Sequence, residues 1–347
     1  MTTMKALVYQ GKGQSGLEDR PVPTLKKPTD AIIKMLYTTI CGTDTHILLG
    51  DVPSCEPGRI LGHEGAGVVH EVGSGVNQFK KGDKVLIKCI TSCASCVYCR
   101  RGMYSHCVSG GWVLGHTIDG TQAEYVNIPF ADQSLHLVPE GTDEKSIVML
   151  SDILPTGLEC GVLNGNVQPG GTVAVIGTGP VGLAAIIAAK LYSPSLIIAI
   201  DKDENRLNAA KQLGATHALV PEGDVEAAVK KLTEGVGCDT VIEAVGVAPT
   251  LELAQDLVAP GGVIANVGVH GKSCSLKIEK LWSHNISLTT RLVDTVTTPM
   301  LLKLYAAGRL KPEGLITHEF PFTKMEDAYG TFKAAAQHKA LKMLISF

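Results

Sequence analysis

The stretch from residue 172 to residue 191 constrains the fold more than any other. A short apolar run, Thr172–Ile176, leads straight into Gly177-Thr178-Gly179-Pro180-Val181-Gly182, and an apolar, helix-forming stretch follows to residue 191. Glycines spaced G-x-G-x-x-G between a strand and a helix allow a tight turn. They also allow a ligand to approach the backbone closely, and the helix to pack tightly on the strand. The alternation continues downstream. Segments 196–201, 217–220, 240–245, 263–267 and 286–290 read as strands, and 204–213, 224–233 and 249–258 as helices. Apolar strands separated by helices describe a parallel sheet covered on both faces, and six of them match a doubly wound, Rossmann-type α/β domain.

In such a domain a pyrophosphate lies at the N-terminus of the first helix, where free N–H groups and the helix dipole favour anions. The candidate cofactor loop is therefore Gly177, Gly179, Pro180, Val181 and Gly182. Asp201 ends the next strand. An acid there accepts hydrogen bonds from both adenosine ribose hydroxyls and repels a 2′-phosphate, which favours NAD over NADP. Asp201 is also placed to cap the helix beginning near Glu204. Arg206 suits either a contact with the adenosine or a solvated helix surface.

The first half of the chain has a different texture. Segments 5–9, 31–38, 67–72, 84–89 and 122–128 are β-rich and separated by turn signals such as Gly73-Ser74-Gly75 and Lys81-Gly82-Asp83. They predict an antiparallel, barrel-like domain. In the tail, 299–307 and 324–337 read as helices, with Thr323 and Glu326 at capping-box spacing, and 340–347 as a strand. A chain of 347 residues exceeds one ordinary core. The expected division is 1–152, with 294–347 returning to it, and 153–293.

Charge and hydropathy narrow the partners. Thirty-one Lys and Arg against 34 Asp and Glu give a net charge of −3, with no basic surplus to attract nucleic acid or an anionic membrane. Apolar stretches such as 181–189 are shorter than the roughly 20 residues of a membrane helix. The first nine residues hold only a four-residue apolar run, too short for a signal-peptide core. A soluble, cytoplasmic protein with no nucleic-acid or membrane partner is expected.

Four of the ten cysteines crowd into Cys93-x2-Cys96-x2-Cys99-x7-Cys107. Four thiolates within fifteen residues close a tetrahedral shell around zinc and leave no open position, so the site reads as structural. The spacing and missing proline argue against a ferredoxin-type iron–sulfur run, and four buried free thiols are the alternative. A second set is dispersed: Cys41-Gly-Thr43-Asp-Thr-His46, Gly62-His63-Glu64, and Asp152 just before the second domain. Each is weak alone. Together they offer thiolate, imidazole and carboxylate, the ligand types of an open, catalytic zinc site.

With these motifs in place, the chain resembles the zinc-dependent medium-chain alcohol dehydrogenases over essentially its whole length. The family signature G-H-E-x2-G-x5-G-x2-V is met by Gly62, His63, Glu64, Gly67, Gly73 and Val76. The resemblance implies a GroES-like, mainly β catalytic domain beside the Rossmann domain, two zinc ions, NAD, and a homotetramer or dimer. It implies that Cys41, His63 and Asp152 hold the catalytic zinc. Glu64 then serves as a transient fourth ligand, or else only as a salt-bridge partner. Thr43 would bond the substrate oxygen and His46 would end a proton relay, the competing readings being a helix cap and a surface imidazole. Thr156 matches a nicotinamide contact. Trp112 and Leu292 match pocket positions, a core Trp being the alternative for Trp112, and His116 has no assigned role.

Asp152 stands where the family's usual pattern of two cysteines and one histidine has its second thiolate. That departure, with the cysteine lobe and Asp201, is most similar to NAD-linked microbial secondary alcohol dehydrogenases, or carbonyl reductases. The implied reaction is interconversion of a secondary alcohol and a ketone by hydride transfer. A dehydrogenase for an aldehyde, polyol or threonine-like amino alcohol is the nearest alternative. A non-catalytic nucleotide-binding protein is a distant one.

Overall fold

The computed structural model describes residues 2–347, which divide into two compact units, 2–152 with Asp294–Phe347, and Ile153–Val293. In chain order the first unit begins with β1 (Thr3–Gly11) and β2 (Gln14–Pro21), an antiparallel hairpin. Then come β3 (Ala31–Thr39), β4 (Gly65–Val72), β5 (Lys84–Ile87), β6 (Tyr125–Ile128) and β7 (Leu135–Leu137). The second unit contains β8 (Thr172–Ile176), β9 (Leu196–Ile200), β10 (His217–Leu219), β11 (Cys238–Glu243), β12 (Val258–Asn266) and β13 (Ser287–Thr290). The chain returns to the first unit with β14 (Ile316–Pro321) and β15 (Lys342–Ser346).

The first unit is built on a sheet ordered β14-β15-β3-β4-β5-β7, with β6 also paired to β3. Its strands pair antiparallel except β14 with β15, which run parallel. One apolar cluster gathers Ile33, Met35, Val69, Val85, Ile87 and Val126. A second joins Leu7, Ile40, Ile47 and Leu61 to Met325, Met343 and Ile345 from the returning tail. β15 buries Met343, Leu344 and Ile345, and with them Lys342, which is fully buried.

In the second unit six parallel strands take the order β10-β9-β8-β11-β12-β13. The order reverses between β8 and β11, and that switch point opens a crevice at the carboxyl ends of the strands. Gly177 follows β8 there and Glu243 ends β11 beside it.

Several elements differ from expectation. β2 and β14 carry too many polar residues to read as strands, and the pairing of their neighbours imposes the conformation. Gly42–Leu49 is a helix whose run Gly-Thr-Asp-Thr-His has no apolar periodicity. The predicted helix 324–337 is two pieces, Met325–Lys333 and Ala335–His338, and the cap position of the first is Lys324 with no side-chain cap, so Thr323 and Glu326 form no capping box. Apolar sequence is also longer than expected: Ser146–Leu163 is a helical run of 18 residues with mean hydropathy 1.4, long enough to cross a membrane. It is 83% buried, as a core segment is.

Candidate active site and metal centres

Three chain turns in the first unit bring the dispersed ligands together. Cys41 follows β3 and caps the helix Gly42–Leu49, its backbone N–H donating to Asp44 Oδ2 at 2.9 Å. His63 and Glu64 enter β4 through Gly62, which has φ +93° and no room for a side chain, since a Cβ would lie 2.6 Å from Gln122. Asp152 follows Ser151, whose hydroxyl donates to the Ile87 carbonyl at 2.5 Å and accepts from Gly65 N–H at 3.2 Å.

One ligand atom from each of Cys41, His63, Glu64 and Asp152 lies within 4.8 Å of the others. His63 Nε2 is 3.2 Å from Asp152 Oδ2 and 4.0 Å from Glu64 Oε1, and Cys41 Sγ is 3.9 Å from Asp152 Oδ2. Tetrahedral bonds of 2.0–2.3 Å set ligand atoms about 3.3–3.8 Å apart, so the donor set fits a zinc ion with little movement. Thiolate, imidazole and carboxylate are also the chemistry zinc takes.

The surroundings compensate buried charge. Lys342 Nζ donates to both Glu64 oxygens, at 2.7 and 2.9 Å, and to the Ile40 carbonyl at 3.2 Å. Burial works against the Lys342 charge, but Glu64, Cys41 and Asp152 outweigh it and hold its pKa above the ordinary lysine value. Burial likewise opposes charge on His63, and the neighbouring Cys41, with Asp152 and Asp44, reverses that and raises it well above the usual imidazole value. Asp44 is pushed up by burial, only partly offset by His63, and accepts from Gln122 Nε2 at 3.1 Å. Gln122 in turn accepts from the Tyr329 hydroxyl at 3.0 Å.

Sequence reasoning missed Lys342, Asp44, Gln122 and Tyr329. Lys342 had a signal, a lone cation at an inward position of an apolar strand. The others had none, because their spacing to the site exists only in the folded sheet. Cys89 was missed as well; it is buried, and burial together with Asp152 raises its thiol well above the ordinary range.

Thr43 Oγ1 lies 3.6 Å from Cys41 Sγ. His46, one turn on along the same helix, has a half-exposed side chain paired with Asp51 at 3.0 Å. Trp112 sets its ring edge-on to His63 at 6.4 Å and stacks on His116 at 4.2 Å. His116 is held by Ser54 Oγ at 2.7 Å and the Trp112 carbonyl at 3.1 Å. Thr156 and Leu292 belong to the second unit, where Leu292 is exposed.

The lobe gathers Cys93, Cys96, Cys99 and Cys107 with their sulfurs within 4.8 Å and no disulfide. Cys107 Sγ accepts from Cys93 N–H at 3.2 Å and Cys96 Sγ from Cys99 N–H at 3.5 Å. Hydrogen bonds from Ser95 lower Cys93 to about 6, while burial lifts Cys99 to about 12. Sulfurs that accept backbone N–H bonds and crowd this closely suit a four-thiolate zinc shell.

In the second unit Gly177 has φ +88°, and a Cβ on Gly182 would lie 1.9 Å from the Gly177 carbonyl oxygen. Pro180 is the first residue of the helix Pro180–Lys190, capped by Gly179. Asp201 is buried; its Oδ2 accepts from Thr178 N–H at 2.7 Å and its Oδ1 from Asp203 N–H at 2.9 Å. The helix cap is Asp203, which accepts from Asn205 and Arg206 N–H, so Asp201 is not the cap. Arg206 Nη1 stands 4.0 Å from Asp201.

Comparison with known proteins agrees with this architecture. Residues 27–140 match the alcohol dehydrogenase GroES-like domain and residues 180–306 the zinc-binding dehydrogenase domain. A zinc-type alcohol dehydrogenase B from Aspergillus flavus is 34% identical over 97% of this chain and 81% of its own. The solved zinc dependent alcohol dehydrogenase 2 from Streptococcus pneumoniae is 48% identical, covering 99% of this chain and 98% of that one, with a TM-score of 0.95. Two more distant solved structures carry nucleotides. An alcohol dehydrogenase from Escherichia coli CFT073 (27% identical, TM-score 0.91) holds NADH, and a zinc-binding dehydrogenase from Sinorhizobium meliloti (26%, 0.88) holds NADP; both matches cover 100% of each chain.

Proposed function

The chain belongs to the zinc-dependent medium-chain alcohol dehydrogenases, and from that premise we propose that it interconverts a secondary alcohol and a ketone with NAD(H). The observation that carries this reading is the convergence of Cys41, His63, Glu64 and Asp152 on one point. Zinc held there would supply Lewis-acid polarisation of the substrate oxygen, and a bound nicotinamide would supply the hydride acceptor or donor.

The chain's own residues do the rest. Cys41, His63 and Asp152 would hold the ion, and Lys342 pairs with the Glu64 carboxylate beside them. Thr43 Oγ1, beside Cys41, would accept the hydroxyl proton of an alcohol as it hands its own proton on toward solvent. His46 lies on the same helix with its ring open to water and passes that proton out. Trp112 walls the substrate side of His63 and favours a ketone with one large and one small arm. The cysteine lobe holds a second, structural zinc. The glycine loop receives the pyrophosphate, Thr156 the nicotinamide, and Asp201 the ribose, selecting NAD over NADP.

Self-association completes the proposal. The second unit ends at edge strand β13, which exposes Leu288, and it also exposes Ile278 and Trp282 on the segment leading into that strand, apolar side chains suited to contact with another copy of the chain. Four cysteines that crowd together in one lobe without a disulfide favour a reducing, cytoplasmic location.

The test is NAD reduction with propan-2-ol, ethanol, threonine, a polyol and formaldehyde, before and after zinc removal. Fastest zinc-dependent turnover on propan-2-ol is expected, and a faster rate on another substrate moves the protein to a neighbouring activity. Asp201→Gly should weaken NAD binding and relax discrimination against NADP by at least about tenfold, roughly 1.4 kcal/mol. Unchanged preference removes Asp201 from the ribose site.

A further inference from the structure

Cys274 stands apart from the other nine cysteines. Six of the ten are buried, and of the four that reach solvent, Cys41, Cys93 and Cys96 belong to the two ligand clusters. Cys274 is the fourth, and it lies in the second unit, on the segment after β12.

Its Sγ is 3.0 Å from His270 Nδ1, closer than the Lys272 carbonyl at 3.6 Å. The other ring nitrogen, Nε2, faces two oxygens, Asn266 Oδ1 at 2.8 Å and Glu243 Oε2 at 3.3 Å. Asn266 Nδ2 donates to the Gly268 carbonyl at 3.0 Å, which turns the amide oxygen toward the ring. The Asn266 oxygen accepts the proton held at Nε2, so the neutral imidazole offers its Nδ1 lone pair to the Cys274 thiol.

Glu243 supports the ring from a fully buried position. Its Oε1 accepts from Val245 N–H, Gly246 N–H and Thr250 Oγ1 at 3.0, 2.9 and 2.7 Å. Its Oε2 accepts no hydrogen bond and points at the imidazole. Gly268 gives it the space, because a Cβ there would sit 2.4 Å from Oε2. A thiol, a base within hydrogen-bond reach and a carboxylate behind the base form the arrangement that activates a nucleophile. The same carboxylate fixes the loop carrying Val245, whose side chain packs where a Cβ on Gly177 would stand, 2.4 Å away.

We propose that Cys274, activated by His270 and Glu243, is a site of reversible covalent modification by small disulfides, and that the adduct weakens nucleotide binding at the adjoining glycine loop. The Cys274 proton passes to His270 Nδ1 and the thiolate attacks one sulfur of the disulfide. A Cys274–sulfur bond forms as the sulfur–sulfur bond of the reagent breaks. The departing thiolate takes the proton back from His270, so one thiol is oxidised into the mixed disulfide and the other half of the reagent leaves reduced.

The test uses the zinc-loaded, full-length protein and oxidised glutathione, followed by intact mass and peptide mapping. One adduct is expected, on Cys274, absent in Cys274→Ser, with a rate about tenfold lower in His270→Gln because the base beside the thiol is gone. An adduct mapping to another cysteine, or an equal rate in His270→Gln, overturns the site. A measurement free of variants guards against a misfolded His270→Gln: alkylation of wild-type Cys274 by iodoacetamide at pH 7 should outpace that of N-acetylcysteine about tenfold, and a slower rate also overturns it. The nucleotide arm rests on the function proposed above. In an NADH titration the glutathione adduct should bind at least about fivefold more weakly and recover on reduction. Equal affinity of adduct and unmodified protein overturns the coupling, whereas failure of the unmodified protein to bind NADH counts against the nucleotide reading itself.

Discussion

The two ligand clusters of the first unit solve the same chemical problem in opposite ways. In the lobe, Cys93 to Cys107 come from one short loop, all four donors are thiols, and backbone N–H groups of that loop bond the sulfurs. In the dispersed cluster Cys41 and Asp152 are 111 residues apart, and thiol, imidazole and carboxylate meet only because β3, β4 and β5 pair in register. The dispersed cluster is buried and draws Lys342 from the returning tail to balance Glu64. A local site depends on its loop, whereas a dispersed site depends on the whole sheet and on charge balance inside the core.

The sharpest way to break that comparison is to remove one ligand from each cluster. His63→Ala should lower turnover by at least about a thousandfold while NADH still binds, because the lost group positions the reacting atoms. Retained turnover in a folded His63→Ala protein would sink the assignment of the dispersed cluster as the active site. Lys342→Met tests the charge balance. Leaving Glu64 buried without its partner should cost about 3–5 kcal/mol, read as a fall in urea midpoint, and adding Glu64→Gln should recover most of it. No loss in Lys342→Met would show that the pair contributes nothing to the core.

Cys96→Ser carries the comparison to the lobe, with a smaller effect of another kind. A hundredfold loss of zinc affinity there corresponds to about 2.7 kcal/mol of apparent stability at metal saturation. Turnover per folded molecule at low temperature should stay near the wild-type value. A loss of turnover equal to that of His63→Ala would mean the lobe is not merely structural.

The same contrast decides what was legible in the sequence. The lobe and the glycine loop are local, and Cys93-x2-Cys96-x2-Cys99 and Gly177-x-Gly179-x-x-Gly182 carry their geometry in their spacing. Strands β8 and β9 and the helix Glu204–Leu213 are buried or amphipathic in ways that periodicity reports directly. The dispersed ligands needed the family resemblance to be joined, since nothing in residues 41, 63 and 152 alone sets them a few ångströms apart. Asp44 and Gln122 escaped because a polar residue in a short helix or loop has no spacing rule, and the lone cation Lys342 gave a signal but not its partner. That partner is chosen by the sheet. β2 and β14 escaped for a related reason, as edge positions tolerate polar residues that propensity counts against a strand.

A last contrast sets His63 against His136, two imidazoles in the same unit shifted in opposite directions. His63 stands among acids and a thiol that favour its charge. His136 sits on β7 opposite Leu86 with Nε2 buried and unpartnered, and burial, with Lys88 nearby, lowers it to about 4. The folded protein therefore binds fewer protons at His136 than the unfolded chain does between pH 4 and 6.5, so its contribution to stability falls as pH falls through that window. Between pH 7.5 and 5 the loss is up to about 2 kcal/mol. Urea midpoints of wild type and His136→Gln at both values isolate it from the other titrating groups. The wild type should lose more stability than the variant on acidification, by that difference. Equal losses would mean that the imidazole is already solvated in the fold, and that only the charged, dispersed cluster makes this unit sensitive to acid.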